Sequence, residues 1–319
     1  MTGSFRDIDY RLRPAKHAER LMLVELFRSF RLTKPIDDYH YTGMGSVAFV
    51  DHRLMHRHLG IKKMVSIEDV SEDKPTERER FSRNCPLSCI SLHFSHSNVA
   101  LSKIEHRQES IVWLDYDGKL GRSMATDLSL LSKDLPAGSF VAVTFRGGFP
   151  SVHAERTSEL LRLRNEFPEF VEDSAKPIEF ENLGLSELGR RALGELFQRS
   201  LADQDALLQM GDRRRLKQLC YFRYRDEAVM ATIGWLITND AVDKLLPTCN
   251  FEKLVFFRDG SNPFKIRIPL ITPYEIQIME RGLPSDLSDG NYDWIPLADR
   301  TDFLNIYRYL PTFGILENI

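Results

Sequence analysis

The chain is expected to fold as an α/β protein, with a mostly parallel sheet, helices on both faces and a closing antiparallel hairpin. A helical insertion and a C-terminal α+β extension complete it. Three observations carry this expectation. Short, continuous apolar runs alternate with helix-like segments over residues 39–145, the rhythm of a parallel sheet buried on both faces. A glycine turn, Tyr41-Thr42-Gly43-Met44-Gly45-Ser46, follows the first run, and acids follow the second and the fourth. Two aromatic and β-branched runs, 217–225 and 228–237, then meet at Asp226-Glu227 and read as a hairpin.

Taken in order, residues 14–30 form an amphipathic helix. Pro14 suits a first helical turn, and Ala18, Leu21 and Met22 recur at helical spacing. Lys16 and Arg20, one turn apart, read as a solvated basic face, with anion binding as the alternative. Residues 39–41 are the first strand, 47–59 a helix closed by Gly60, and 64–67 a second strand ending at Glu68. A charged helix over 75–84 is stopped by Pro86; a strand at 89–94 and a short helix at 99–104 follow. The fourth strand, 111–114, runs into Asp115-Tyr116-Asp117-Gly118, and a helix over 124–135 leads to a fifth strand at 139–145.

Past Gly147-Gly148 the character changes. Residues 151–216 are charged and helix-like, too long for a simple crossover, and are expected to lie over the carboxyl edge of the sheet as a lid or recognition element, hinged at the two glycines. A second hairpin is expected from 251–257 and 264–271. Thr272-Pro273-Tyr274-Glu275 is a capping box that starts a helix reaching Gly282, and a last short helix covers 302–309. The organisation is thus 1–150, a ligand-binding half; 151–216, the insertion; and 217–319, the closing hairpin with the extension.

Composition narrows the function. No apolar run approaches the roughly 18 residues of a membrane span, so no membrane partner is expected. Residues 1–13 are polar and lack the apolar stretch of a secretion signal, which predicts a cytoplasmic protein. A formal charge of −3 argues against a surface built throughout to neutralise phosphates. Cys85, Cys89, Cys220 and Cys249 are too scattered for a disulfide framework or a zinc site. His52 and His56 are four apart, but Arg53 stands where a metallopeptidase needs glutamate, so a solvated helix face is read.

The ordered constellation points to a nucleotide-type cofactor. A glycine turn after the first strand lets a ligand approach the backbone, and an acid after the second can accept both hydroxyls of a ribose. With its closing hairpin, the order of parts over 36–240 resembles a class I S-adenosylmethionine-dependent methyltransferase with a Rossmann-like sheet. The segments YRLRPAKHAERLMLVELF, YTGMGSVAFVDHRLMHRHLG and VWLDYDGKL are similar to the putative O-methyltransferases of bacteria.

The resemblance implies S-adenosyl-L-methionine as cofactor, with Tyr41, Thr42, Gly43, Met44, Gly45 and Ser46 around its methionine part. It implies Glu68 at the ribose, Asp69 as a further cofactor-binding residue, Ser97 and Asn98 at the adenine, and Asp115 and Tyr116 beside the sulfonium. This chain departs from the pattern in having Ser46 and Ala48 where a third glycine is usual, and Tyr41 or Thr42 where an acid is common.

Of Asp115 and Asp117, Asp115 is expected to face the pocket and to act as base where the acceptor must lose a proton. No metal is expected, because Arg146 stands after the fifth strand where a cation would need further oxygen ligands. The acceptor is left open among small molecule, protein and RNA, as is a homo-oligomer. Arg213-Arg214-Arg215 and Tyr221-Phe222-Arg223-Tyr224-Arg225 could hold a nucleic-acid strand for base methylation, or form a solvated helix end and a half-buried strand. A binding or regulatory protein that keeps the fold without catalysis is the other alternative. A nicotinamide or flavin enzyme is disfavoured by Ala48 in the place of a third glycine.

Overall fold

The computed structural model describes residues 13–288 and 290–311. Eight strands form one sheet in the order β3-β2-β1-β4-β5-β7-β6-β8. They are β1 (His40–Gly43), β2 (Lys63–Glu68), β3 (Ile90–Phe94), β4 (Ser110–Lys119), β5 (Phe140–Arg146), β6 (Arg215–Arg225), β7 (Val229–Thr238) and β8 (Phe264–Ile266). β7 runs antiparallel to β5 and β6, and the other strand pairs are parallel. That antiparallel strand sets this sheet apart from an all-parallel dinucleotide-binding one. β4 outlasts its predicted end because Lys119 still pairs with Arg146 across a register shift after Asp115.

Helices α1 (Pro14–Arg28) and α2 (Val50–Leu59) cover one face; α4 (Ser97–Leu101), α5 (Arg122–Leu131) and α7 (Gly184–Gln204) cover the other. α3 (Pro75–Asn84) packs Phe81 in a small side cluster with Phe49 and Val70. No side chain at the start of α1 caps it. Asp226, in the β6–β7 turn, instead accepts the backbone N–H groups of Ala15 (3.0 Å) and Lys16 (3.1 Å). A charged turn without glycine, a poor hairpin signal, is thus explained by its long-range capping role.

The insertion divides in two. α7 is embedded in the core: Phe197 meets Trp235 at 6.5 Å, and a Cβ on Gly189 would lie 2.2 Å from the Phe145 ring. It is therefore a crossover helix on the sheet face, not a cover over the carboxyl edge. α6 (His153–Glu166) sits at the exit of β4, where Glu159 holds Lys119 at 2.8 Å and Arg162 donates to the Leu120 carbonyl at 2.7 Å. A Cβ on Gly147 would lie 2.4 Å from Ser186 Oγ and 2.8 Å from the Ala231 Cβ, so this glycine permits tight packing and has no room to act as a free hinge.

The second hairpin does not form. Phe251–Lys253 is a 3₁₀ turn, and only β8 pairs, parallel to β6. Phe251 instead packs on Phe30 (5.7 Å) and Phe256 on Phe222 (5.7 Å), so burying aromatic rings under α1 and β6 outweighs a strand ladder. The capping box forms and starts α8 (Pro273–Gly282), which makes a separate small core with α9 (Leu297–Ile306) through Met279, Leu287, Ile295 and Phe303. Tyr309 and Arg308 bind Glu25, fastening the C-terminal segment to α1. No helix among the described residues is long and apolar enough to cross a membrane.

Candidate functional site

The turn after β1 and the end of β2 meet at one point. Gly45 N–H lies 3.1 Å from both Ser66 Oγ and Glu68 Oε1, and Ser66 Oγ–H donates to the same Glu68 oxygen at 2.6 Å. Glu68 is 6% exposed. Burial pushes its carboxyl up to about 7, against the hydrogen bonds from Ser66 and the turn that favour the anion. A Cβ on Gly45 would lie 2.5 Å from Ser66 Oγ and 2.9 Å from Phe49, so only glycine lets the turn close on this carboxylate. Ser46 adopts φ 52°, and its Oγ is buried without a hydrogen-bond partner. A crowded glycine, an unspent hydroxyl and a buried acid with a second oxygen to offer suit a ribose-bearing ligand.

Tyr41 does not cover this turn. It is 1% exposed beneath it, its ring edge-on to His52 at 5.0 Å, and Thr42 is equally buried. His52 is itself fully buried, with Nε2 3.0 Å from the Val65 carbonyl, which corrects the solvated reading of that helix face. Met44 packs against the core on the face opposite α1. Asp69 is exposed and 3.0 Å from His96 Nδ1, and Asn98 is exposed with Oδ1 accepting the Val99 N–H, so neither is held toward Glu68.

The basic residues of α1 correct another expectation. Lys16 and Arg20 are 0% and 3% exposed, not solvated. Lys16 Nζ is 2.7 Å from Asp115 Oδ1 and 2.8 Å from Glu19 Oε2, and it lies 4.3 Å from the centre of the Trp113 ring. Arg20 pairs with buried Asp51. Asp115 therefore faces α1, whereas Asp117 is exposed and its carbonyl accepts from Arg146 Nε at 2.5 Å. The signal was present in the sequence: positions 16, 19 and 20 continue the stripe of Leu23 and Phe27 at helical spacing.

On the opposite face, Ser97 Oγ and Tyr116 Oη both donate to Asp127 Oδ2. Asp127 is 1% exposed, its Oδ1 has no hydrogen-bond partner, and burial raises its carboxyl above the usual range. The structure thus joins Ser97 to Tyr116 through a residue of α5 that no motif marked. The arginine run is occupied elsewhere: Arg214 binds Asp205 at 2.6 Å and Arg215 binds Asp240 and Asp243 at 2.7 and 2.6 Å. Tyr221, Phe222 and Tyr224 are buried, so they present no stacking surface. A cleft lined by Arg53, His56, Arg57, Pro86 and Leu87 includes none of Glu68, Asp115 or the turn.

Residues 8–318 match a protein family described as "Putative O-methyltransferase". No curated protein matches the chain. Among similar solved structures is Trm1 from Pyrococcus horikoshii with S-adenosyl-L-methionine, at 11% identity over 83% of this chain and 70% of that one, with a TM-score of 0.45. A putative O-methyltransferase from Klebsiella pneumoniae is similar at 11% identity, over 72% and 81% of the two chains, with a TM-score of 0.37. A variant of LepI, in complex with SAH and a substrate analogue, is similar at 11% identity and a TM-score of 0.35, and the alignment covers 63% of this chain and only 43% of LepI. These three likenesses concern the fold and say nothing of activity. The family match, spanning nearly the whole sequence, is of another order: the chain belongs to the Putative O-methyltransferase family.

Proposed function

We propose that this protein is an S-adenosylmethionine-dependent methyltransferase directed at an oxygen of its acceptor. The observation that carries the reading is the junction of Gly45, Ser66 and Glu68, a glycine that tolerates no Cβ closing on a buried carboxylate at the carboxyl edge of the sheet. Family membership supports the O-directed part. The cofactor, when bound, supplies a methyl group on a sulfonium.

The chain's own task is to hold and desolvate the reactants, since methyl transfer gains most from alignment. Glu68 would accept hydrogen bonds from the ribose hydroxyls, Gly45 and Ser46 would line the methionine part, and Asp127 Oδ1, left without a partner by Ser97 and Tyr116, would accept from the adenine amine. Asp115, paired with Lys16, would take the acceptor proton where one must be lost. No divalent metal enters the proposal. α6, at the exit of β4, is the part of the insertion we assign to acceptor recognition.

Because Arg214 and Arg215 are paired within the chain and Tyr221, Phe222 and Tyr224 are buried, the proposed acceptor is a small molecule or a protein. The setting is cytoplasmic, and a homo-oligomer is compatible with it. Calorimetry with S-adenosylmethionine, S-adenosylhomocysteine and NAD tests the assignment. The first two should bind and NAD should not; binding of NAD alone would contradict it.

A further inference from the structure

Neither the turn nor Glu68 accounts for a lysine entirely withdrawn from water beside Asp115. Removing an ammonium from solvent is costly unless counter-charges are close and well placed. Two carboxylates touch Lys16, at 2.7 Å from Asp115 and 2.8 Å from Glu19. They are not equivalent. Glu19 is 0% exposed, and burial pushes its carboxyl toward the protonated form; Asp115 keeps a 14% exposed side chain. Asp51, the third acid of the cluster, is taken by Arg20. The charge of Lys16 is therefore matched chiefly by Asp115.

Position gives this pair its significance. In the β1–β4 register Gly43, the last residue of β1, lies opposite Trp113, so Asp115 stands two residues further toward the carboxyl edge, beyond the end of β1 where the turn begins. Gly45, in that turn, contacts Glu68. β1 lies between β2 and β4, so a cofactor held on Glu68 and the turn would have Asp115 on its β4 side.

We propose that Lys16 is the resident counter-ion of Asp115, a positioning residue that neutralises the carboxylate beside the sulfonium and so sets how strongly the site prefers the charged methyl donor over the neutral demethylated product. This rests on the cofactor reading above. With the ion pair intact, the site presents little net field and holds the two ligands with similar strength. Removing either member exposes the charge of the other, and a unit charge in a partly buried site changes a cation's affinity by about tenfold or more.

The test is the ratio of the dissociation constants of S-adenosylhomocysteine and S-adenosylmethionine, measured by calorimetry on the full chain. Lys16→Met should shift the ratio by about tenfold in favour of S-adenosylmethionine, and Asp115→Asn should shift it by a similar factor the other way. Lys16→Arg, which keeps the charge, should leave it in place. If the pair only fastens α1, both ligands will weaken together and the ratio will stay constant, which overturns the proposal. Should Lys16→Met not fold, the near-isosteric Asp115→Asn decides alone. Wild-type protein that binds neither ligand overturns the cofactor reading and this inference together; binding of both with a ratio that neither variant moves overturns only the inference.

Discussion

Lowering the pH from 8 to 6 should weaken S-adenosylmethionine binding about tenfold, because of one carboxyl group. Burial holds Glu68 up to about 7 in the free protein. A ribose offers two hydroxyl donors, so the ligand prefers the ionised form and pulls this carboxyl back toward the ordinary range. At pH 8 about nine-tenths of the free protein carries Glu68 ionised, and at pH 6 about one-tenth, so the binding-competent fraction falls about tenfold. At pH 7 binding should release about half a proton, which calorimetry in two buffers of different ionisation enthalpy reads directly.

Glu68→Gln should bind weakly and show no such dependence. Affinity that is flat between pH 6 and 8, or that rises on acidification, would refute the assignment of this carboxylate to the ribose. The sign for stability is opposite. A carboxyl raised above its usual value near 4.5 contributes stability that is present in full below that pH and lost as the pH rises through about 7. Glu68→Gln should therefore melt at a higher temperature than the wild type at pH 8.5.

Three further outcomes are expected. Asp226→Ala removes the acceptor of two N–H groups at the start of α1 and should cost about 1–2 kcal/mol in denaturant unfolding; an unchanged midpoint would show that α1 does not depend on this cap. Gly45→Ala places a Cβ 2.5 Å from Ser66 Oγ and should destabilise the fold by about 1–3 kcal/mol while abolishing cofactor binding; normal binding would show that the turn has room it is argued not to have. Once an acceptor is known, turnover in excess chelator should equal turnover in magnesium, because Arg146 stands at the end of β5; loss of activity restored by the metal would contradict this.

Much of the sheet was legible because its strands are short, apolar and buried on both faces, with helices between them at regular intervals. The turn at 41–46 and the acid at 68 could be paired for the same reason: each ends a strand, and strand ends in such a sheet come together. The sequence misleads where charge suggests solvent. Lys16, Arg20 and His52 are polar residues on core-facing positions, and their partners, Asp115, Asp51 and the Val65 carbonyl, come from other elements. Asp127 escaped because its partners lie on α4 and β4, distances in sequence at which no motif operates. The absent second hairpin had the right residue types, but Phe251 and Phe256 contribute more as core anchors than as strand residues.

Whether Gly45 and Glu68 form a cofactor site is decided by a crystal structure of the protein soaked with S-adenosylhomocysteine. Both ribose hydroxyls should lie within hydrogen-bonding distance of the Glu68 carboxylate, with the homocysteine chain crossing the turn at Gly45. A ligand bound elsewhere, or at the turn with its ribose away from Glu68, would contradict this assignment.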